Sequence, residues 1–481
     1  MPVLRFTGGI AMLAAACCAC GVAFNSPADE VPPSSEPTVL TFVDPAVVPG
    51  LQVQTIIKKT GKANSYLTYP QIPGATPLSE RMRAELVAEA KAFNEKNAKG
   101  KATLPKSEIN VDWQLTAVSP KVTGVRLRTG RFEGESWINS TRTLWYDGAR
   151  VVTSDLLVKN LNDLARVVGT RLADDTDVHL GAIKPDRALF DSLDFNSRGD
   201  LVVEFDDYEI GPGAMGRVAT AIPRQEAAPL LSDFGKAAQQ AVESARPTTP
   251  PELRNPPEAT APAVPGKVDC RVARCVALTF DEGPGPYTDR ILTALGTTRA
   301  TFFLTGTNAA ARPDLLRRMA RDGHLVGNHG WSHRDLTTLP DNRIYEQLAR
   351  TQDVIAQSTG SLPALMRPPY GASNPDVAKI AGELKLSLVT WDVDAGDDGD
   401  ATAQEICRRV TSAVKPGSIV LLHDLGPATP EAIPLILKAL EDRGYSFVTV
   451  PELYGTRPMQ PGRTYESAVD VAVSRYGRPL P

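Results

Sequence analysis

An excess of charge of one sign, long apolar runs, cysteine and histidine are all scarce in this chain of 481 residues, and each scarcity excludes something. The 52 Lys and Arg against 56 Asp and Glu leave a net charge of -4 with the two signs well mixed. No basic face results, so a nucleic-acid partner is not expected. Beyond the first two dozen residues no segment reaches the roughly 18 apolar residues of a membrane span. Cys270, Cys275 and Cys407 are the only cysteines past residue 20, which removes any cysteine-rich zinc module. The length itself allows two or three domains with their own cores.

What is present begins with a leader. Arg5 is followed by Gly8 to Ala23, a small-residue apolar segment containing Cys17, Cys18 and Cys20. It is similar to a bacterial lipoprotein signal, whose Cys becomes the lipidated first residue. None of the three has the large aliphatic residue expected three positions earlier, so a plain cleaved signal peptide over 1–24 stands beside that reading. Either one exports the protein, secreted or lipid-anchored at the outer face of the membrane and associated with the cell wall. The only expected membrane contact is through that lipid. In an oxidising compartment Cys270 and Cys275 are close enough to close a small disulfide loop.

Residues 25–37 are Pro/Ser/acid-rich and read as a flexible tether. From 38 to 245 short β-like runs alternate with helical ones, the pattern of a smaller α+β domain. Strands are expected at Val111–Leu115, Gly124–Leu127 and Thr141–Tyr146, with a hairpin turn at Asp147-Gly148. A helix is expected over Pro77–Asn94 with Met82, Leu86, Val87, Ala90 and Phe93 on one face. Residues 246–267 form a Pro-rich linker. From 268 to 455 seven apolar runs alternate with helix-length amphipathic segments, which predicts an α/β barrel of parallel strands. The runs are Val276–Phe280, Ala300–Leu304, His324–Val326, Ala364–Met366, Leu386–Trp391, Ser418–Leu422 and Ser446–Val450. Residues 456–481 are left as a C-terminal tail.

In such a barrel the site is built at the carboxyl ends of the strands. Those ends carry Asp281-Glu282, then Asn328 to His333, then Arg367 to Gly371, then Asp392, Asp394 and Asp397, and finally His423-Asp424. Four of the five histidines lie in this half, and three of them fall at strand ends. His329 and His333, spaced i, i+4, are expected on one side of a helical turn, where both imidazoles can bite one cation. Two adjacent carboxylates at Asp281-Glu282 repel each other unless a cation or a raised pKa relieves them. Two histidines and one carboxylate at a barrel mouth make a three-ligand set with open positions, as a catalytic zinc requires.

Five blocks in order, Thr279–Pro284, His329–His333, Arg367–Tyr370, Asp394–Asp397 and Leu421-Leu422-His423, resemble the polysaccharide deacetylase family, also called the NodB-homology domain or carbohydrate esterase family 4. The resemblance implies a distorted (β/α) barrel and metal-dependent hydrolysis of acetyl groups on polysaccharides. Glu282, His329 and His333 would hold a divalent metal, Zn2+ first, with Co2+ or another divalent ion as alternatives. Asp281 would be the general base, kept ionised by Arg367. The backbone N–H of Tyr370 would meet the oxyanion, and His423, tuned by Asp397, would be the general acid. Leu421, with Pro368 and Trp391, would line the substrate pocket. The N-terminal segment, through Ser65 to Pro73, Tyr208 to Ala214 and Ile222-Pro223, resembles an extracytoplasmic domain found beside cell-wall deacetylases and in a lysozyme-sensing anti-sigma factor. That likeness implies contact with the wall or with lysozyme and supplies no catalytic residue.

The chain departs from the family pattern twice. Glu282 stands where a second Asp is usual, and Asp398 stands where a Trp normally follows the fourth-block Asp; Trp391 or Trp331 is the expected substitute surface. The expected activity is deacetylation of N-acetylated amino sugars in cell-wall polysaccharide, foremost peptidoglycan. The alternatives are a chitin-oligomer deacetylase or acetyl-xylan esterase, and a lysozyme- or wall-binding protein whose barrel is inactive.

Overall fold

Where a β-rich half gives way to alternating strands and helices, the chain passes from a mixed, mostly antiparallel sheet to a parallel one. The computed structural model describes residues 38–99, 103–245, 268–455 and 457–470. The expected leader, tether and Pro-rich linker, and the end of the tail from 471 onward, lie outside these residues.

The N-terminal sheet starts with β1 (Gln52–Lys59) antiparallel to β2 (Ala63–Gln71). Helix Thr76–Ala98 then crosses over so that β3 (Ser107–Val118) runs parallel to β2, a pairing that needs such a crossover. The strands β4 (Thr123–Phe132), β5 (Trp137–Tyr146) and β6 (Val151–Thr153) complete a six-stranded sheet by antiparallel turns. Asp147 N–H donates to the Arg150 carbonyl at 3.1 Å and Gly148 takes φ 88°, so the expected hairpin turn is present. The helix buries Leu78, Met82, Leu86, Ala90 and Phe93, but Val87 is 46% exposed. It lies about 100° round the axis from Leu86 and misses the face assigned to it. A second core forms around β7 (Leu193–Phe195), β8 (Leu201–Phe205) and β9 (Val218–Ile222), closed by helices Leu161–Arg171 and Asp233–Ser244.

The C-terminal half is a curled parallel sheet. Its strands are β10 (Arg274–Asp281), β11 (Thr301–Leu304), β12 (Leu325–Asn328), β13 (Leu365–Met366), β14 (Ser387–Val389), β15 (Val393–Asp394), β16 (Ile419–His423), β17 (Tyr445–Phe447) and β18 (Thr464–Tyr465). They pair in the order β15-β16-β10-β11-β12-β13-β14-β18, with β17 beside the start of β10. The two end strands do not pair among the described residues, so the ring stays open, a distorted barrel.

Two expectations are corrected here. The run Leu386–Trp391 is not one strand: β14 stops at Val389, and the chain moves to the opposite edge, where Asp392 N–H donates to the Ile419 carbonyl. The segment set aside as tail adds β18 alongside β14, and Ala468 N–H donates to the Gly417 carbonyl at 2.8 Å. The Cys270–Cys275 disulfide is formed. No helix among the described residues is long and apolar enough to cross a membrane.

Period-two alternation along β10 decides what reaches the site. Val276, Leu278 and Phe280 pack outward under the helices with Ile291, Ile406 and Ile433. Ala277, Thr279 and Asp281 therefore point inward. Gly327 in β12 keeps the interior tight, because a Cβ there would lie 2.7 Å from the Phe303 ring. Gly327→Ala is expected to lower unfolding free energy by about 1–3 kcal/mol, read from the denaturation midpoint.

Candidate active site and metal centre

The side chains converge at the carboxyl ends of β10, β12, β13 and β16. Arg367, following β13, is fully buried, and its ring-like guanidinium lies over Phe303 at 4.4 Å. It donates to Asp281 Oδ1 and to Thr279 Oγ1, each at 2.7 Å, and to the carbonyls of Val389 and Thr390. Those last two bonds hold the chain where β14 ends.

Glu282, His329 and His333 are all buried and bring one ligand atom each to within 4.8 Å of one another. Their backbones explain why. Glu282, His333 and Tyr370 take φ 73°, 60° and 60°, three of the five non-glycine residues described with positive φ. Such conformations cost of order 1–3 kcal/mol and persist where the surroundings enforce them. The Glu282 turn is enforced by its N–H donating to the Phe303 carbonyl and its carbonyl accepting from Asn308 Nδ2.

The histidine pair converges, but not on a helical turn as its spacing suggests. His329–His333 is a loop after β12, bent by Gly330 at φ 74° and by His333 itself. Gln347 Oε1 accepts from the N–H groups of Trp331 and Ser332 and holds the loop in this shape. The two rings lie 4.8 Å apart at 68°. His329 Nδ1 is 2.7 Å from the Arg367 carbonyl, which can only accept, so Nδ1 carries the proton and Nε2 is left as a lone pair facing the cluster. Burial holds this imidazole down to about 4, neutral as a ligand must be.

Burial opposes the charge on Glu282, yet Lys59, His333 and His423 around it hold its carboxyl well below the usual range. Glu282 Oε2 and His333 Nδ1 are buried without a hydrogen-bond partner, whereas Glu282 Oε1 lies 3.1 Å from His333 Nε2. An ionised carboxylate with an orphan oxygen, beside two buried imidazoles, is a donor set that fits a divalent cation.

Across the opening, His423 at the end of β16 places Nδ1 2.8 Å from Asp397 Oδ1. Asp397 Oδ2 accepts from the His423 N–H and from Thr429 Oγ1. Burial and Lys59 work against the imidazolium, but Asp397 prevails and pushes it up to about 9. A cavity of about 550 Å3 lies between these groups, and Leu421 and Trp391 are among the residues that line it. Pro368 does not: it is buried behind the wall, its carbonyl accepting from Gly371 N–H in the turn that sets Tyr370. Trp331 is also absent from the wall, its ring covered by Arg350 at 3.6 Å.

Sequence reasoning missed the contribution of the first domain. Lys59, Asn64 and Lys106 line the same cavity, and Tyr66 stacks on His333 at 4.2 Å and 18°. The same domain grips the loop that carries His333: Glu108 Oε2 accepts from Asp335 N–H, Asn110 Nδ2 donates to the Ser332 carbonyl, and Trp137 Nε1 donates to Thr338 Oγ1. Nothing in the first 245 residues signals this. The one available hint was Asp398, an acid lacking a visible partner in the sequence.

The family description "polysaccharide deacetylase" matches residues 269–389. The peptidoglycan-N-acetylglucosamine deacetylase of Listeria monocytogenes is 36% identical over 210 residues, 43% of this chain and 44% of that protein. The chitooligosaccharide deacetylase of a Bradyrhizobium species is 34% identical over 204 residues, 39% of this chain and 93% of that protein. The solved peptidoglycan deacetylase of Bacillus subtilis is 38% identical, over 38% of this chain and 91% of that one, with a TM-score of 0.37. The chain spans about half the length of the first curated relatives it matches, 44% and 52%.

Removing Arg367 leaves a buried carboxylate without its cation. Arg367→Met is expected to cost about 3–5 kcal/mol of unfolding free energy, read by thermal or denaturant unfolding.

Proposed function

Because the chain belongs to the polysaccharide deacetylase family, we propose that it is a hydrolase that removes acetyl groups from N-acetylated amino sugars of cell-wall polysaccharide, peptidoglycan first. The observation that carries this reading is the Glu282–His329–His333 cluster facing the His423–Asp397 pair across one cavity, with Asp281 beside the cluster. The relatives' names and the export leader support the wall as the place of action, with the protein secreted or held by a lipid on that leader. Wall or lysozyme contact by the first domain belongs to the same proposal.

Glu282, His329 and His333 are the residues that would hold a divalent cation, Zn2+ suiting one carboxylate and two imidazoles, with Co2+ as an alternative. When bound, that ion supplies Lewis-acid polarisation of the acetyl carbonyl and acidifies water. Asp281, held by Arg367 at 2.7 Å, takes a proton from the attacking water. The backbone N–H of Tyr370 is assigned to the oxyanion of the tetrahedral state, where one such donor is worth about 100- to 1000-fold in turnover. His423 then gives its Nε2 proton to the departing amine, while Asp397 fixes the ring and keeps that proton available. Leu421 and Trp391 enclose the acetyl methyl group. One amide and one water become one acetate and one amine.

Amine release from peptidoglycan is expected to stop with a chelator and to return with added Zn2+. His329→Ala is expected to lose bound metal and turnover together, and Asp281→Asn to keep the metal and lose turnover; chelator-insensitive release would overturn the metal reading. Chitin oligomers and acetylated xylan in the same assay test the substrate.

The His423 pKa is raised, so the acid form survives to higher pH and turnover is expected to fall as pH passes about 9. Asp397→Asn removes the main support of the imidazolium against burial and Lys59 and leaves only the smaller pull of Glu282, so the alkaline limb of the kcat profile moves to lower pH.

A further inference from the structure

Two strands of the first domain present alternate residues to the histidine loop. In β2 and β3 the side chains of Leu67, Ile109 and Val111 pack into that domain's own core. Asn64, Tyr66, Glu108 and Asn110 therefore project from the opposite face. Register sets them side by side, Asn64 against Glu108 and Tyr66 against Asn110. Glu108, Asn110 and Tyr66 each meet the loop after β12. Glu108 accepts from the Asp335 N–H, Asn110 donates to the Ser332 carbonyl, and the Tyr66 ring lies on that of His333, with 4.2 Å between centroids and 18° between planes.

On the metal-dependent reading above, we propose that Tyr66 is a positioning residue for His333, doing by ring contact what a hydrogen bond does for His329. The two candidate ligands are held differently. His329 has Nδ1 at 2.7 Å from the Arg367 carbonyl, which fixes its ring with Nε2 toward the cluster. His333 turns Nε2 to Glu282 Oε1 at 3.1 Å, but its Nδ1 is buried and has no hydrogen-bond partner among the described residues. A metal-binding imidazole ordinarily donates its other N–H to a carbonyl or carboxylate, and that bond sets the plane of the ring. His333 lacks it. A parallel ring in van der Waals contact stops the imidazole turning about its Cβ–Cγ bond, and Tyr370, edge-on at 4.6 Å and 83°, adds a second restraint.

Tyr66 is suited to this because it stands on a rigid support. It is buried on a strand paired on both sides, with Ile57 of β1 and Asn110 of β3. His333 belongs to a loop and takes φ 60°, a conformation that lasts only where neighbours enforce it. The fixed ring therefore orients the strained one. Affinity for the cation becomes a property of both domains, although all three ligands lie in one.

The test uses the full chain, stripped of metal and titrated with Zn2+ against a competing chromophoric chelator. Tyr66→Leu removes the flat face; it is expected to weaken Zn2+ binding roughly 10- to 100-fold, as loss of an orienting partner does, and to change the visible absorption of the Co2+-loaded protein. Tyr66→Phe keeps the ring and restores both readings. Leu67→Ala, on the other face of the same strand, lowers the unfolding midpoint and leaves Zn2+ affinity unchanged, which separates positioning from the general stability of the domain. Should Tyr66→Leu give no cooperative unfolding transition, Tyr66→Met, whose unbranched chain adapts to the space, goes through the same titration. Wild-type affinity in Tyr66→Leu, or an equal loss in Leu67→Ala, overturns the proposal, and a loss in Tyr66→Phe overturns it in favour of the hydroxyl. A wild-type chain that takes up neither Zn2+ nor Co2+ overturns the metal reading itself, and the role of Tyr66 with it.

Discussion

The buried pair of Arg367 and Asp281 is the constraint on which the site depends. A guanidinium with no exposed surface cannot be ionised cheaply, and the desolvation of both partners costs several kcal/mol each unless the geometry returns it. Arg367 meets that demand by directing four N–H groups to neighbours: one carboxylate, one hydroxyl and two backbone carbonyls. Those bonds tie β10 to the end of β14, and its own carbonyl orients His329. One residue thus fixes the place of a buried carboxylate, the tautomer of a buried imidazole and the point where a strand must stop.

Around that fixed point the backbone is bent against its preference. Glu282, His333 and Tyr370 all sit in the left-handed region, and each belongs to a different loop. Loops alone would relax. They are held from below by β11 and β12 and from above by the first domain, whose Tyr66, Glu108, Asn110 and Trp137 press on the histidine loop. The domain expected as an accessory is a part of the mould.

Much of the catalytic half was legible because its pattern is local. Alternating apolar runs and amphipathic helices announced a parallel sheet, and polar residues at strand ends announced the mouth. The amphipathic segments between those runs form helices such as Thr288–Leu295, Pro313–Arg321 and Asp341–Thr359. What could not be read was non-local. The split of Leu386–Trp391 follows from Arg367, the strand at Thr464–Tyr465 from an unpaired edge of β14, and the loop form of His329–His333 from Gln347. Pro368 stood in a motif beside site residues yet faces away, since adjacency in sequence does not fix direction in a turn. Lys59 had no local signature at all, being one of two neighbouring lysines at the end of a strand.

Lys59 and His423 are 364 residues apart in the chain, and Ala468 still follows them to secure the sheet at Gly417. Contacts of such separation form late, after the closure entropy of a long loop has been met. A chain emerging amino end first therefore presents Lys59, then Glu282, His329 and His333, and only later the imidazole of His423. The candidate site closes only once β16 has been made and Ala468 has secured the sheet, so its groups are brought together by topology and not by their order in the chain.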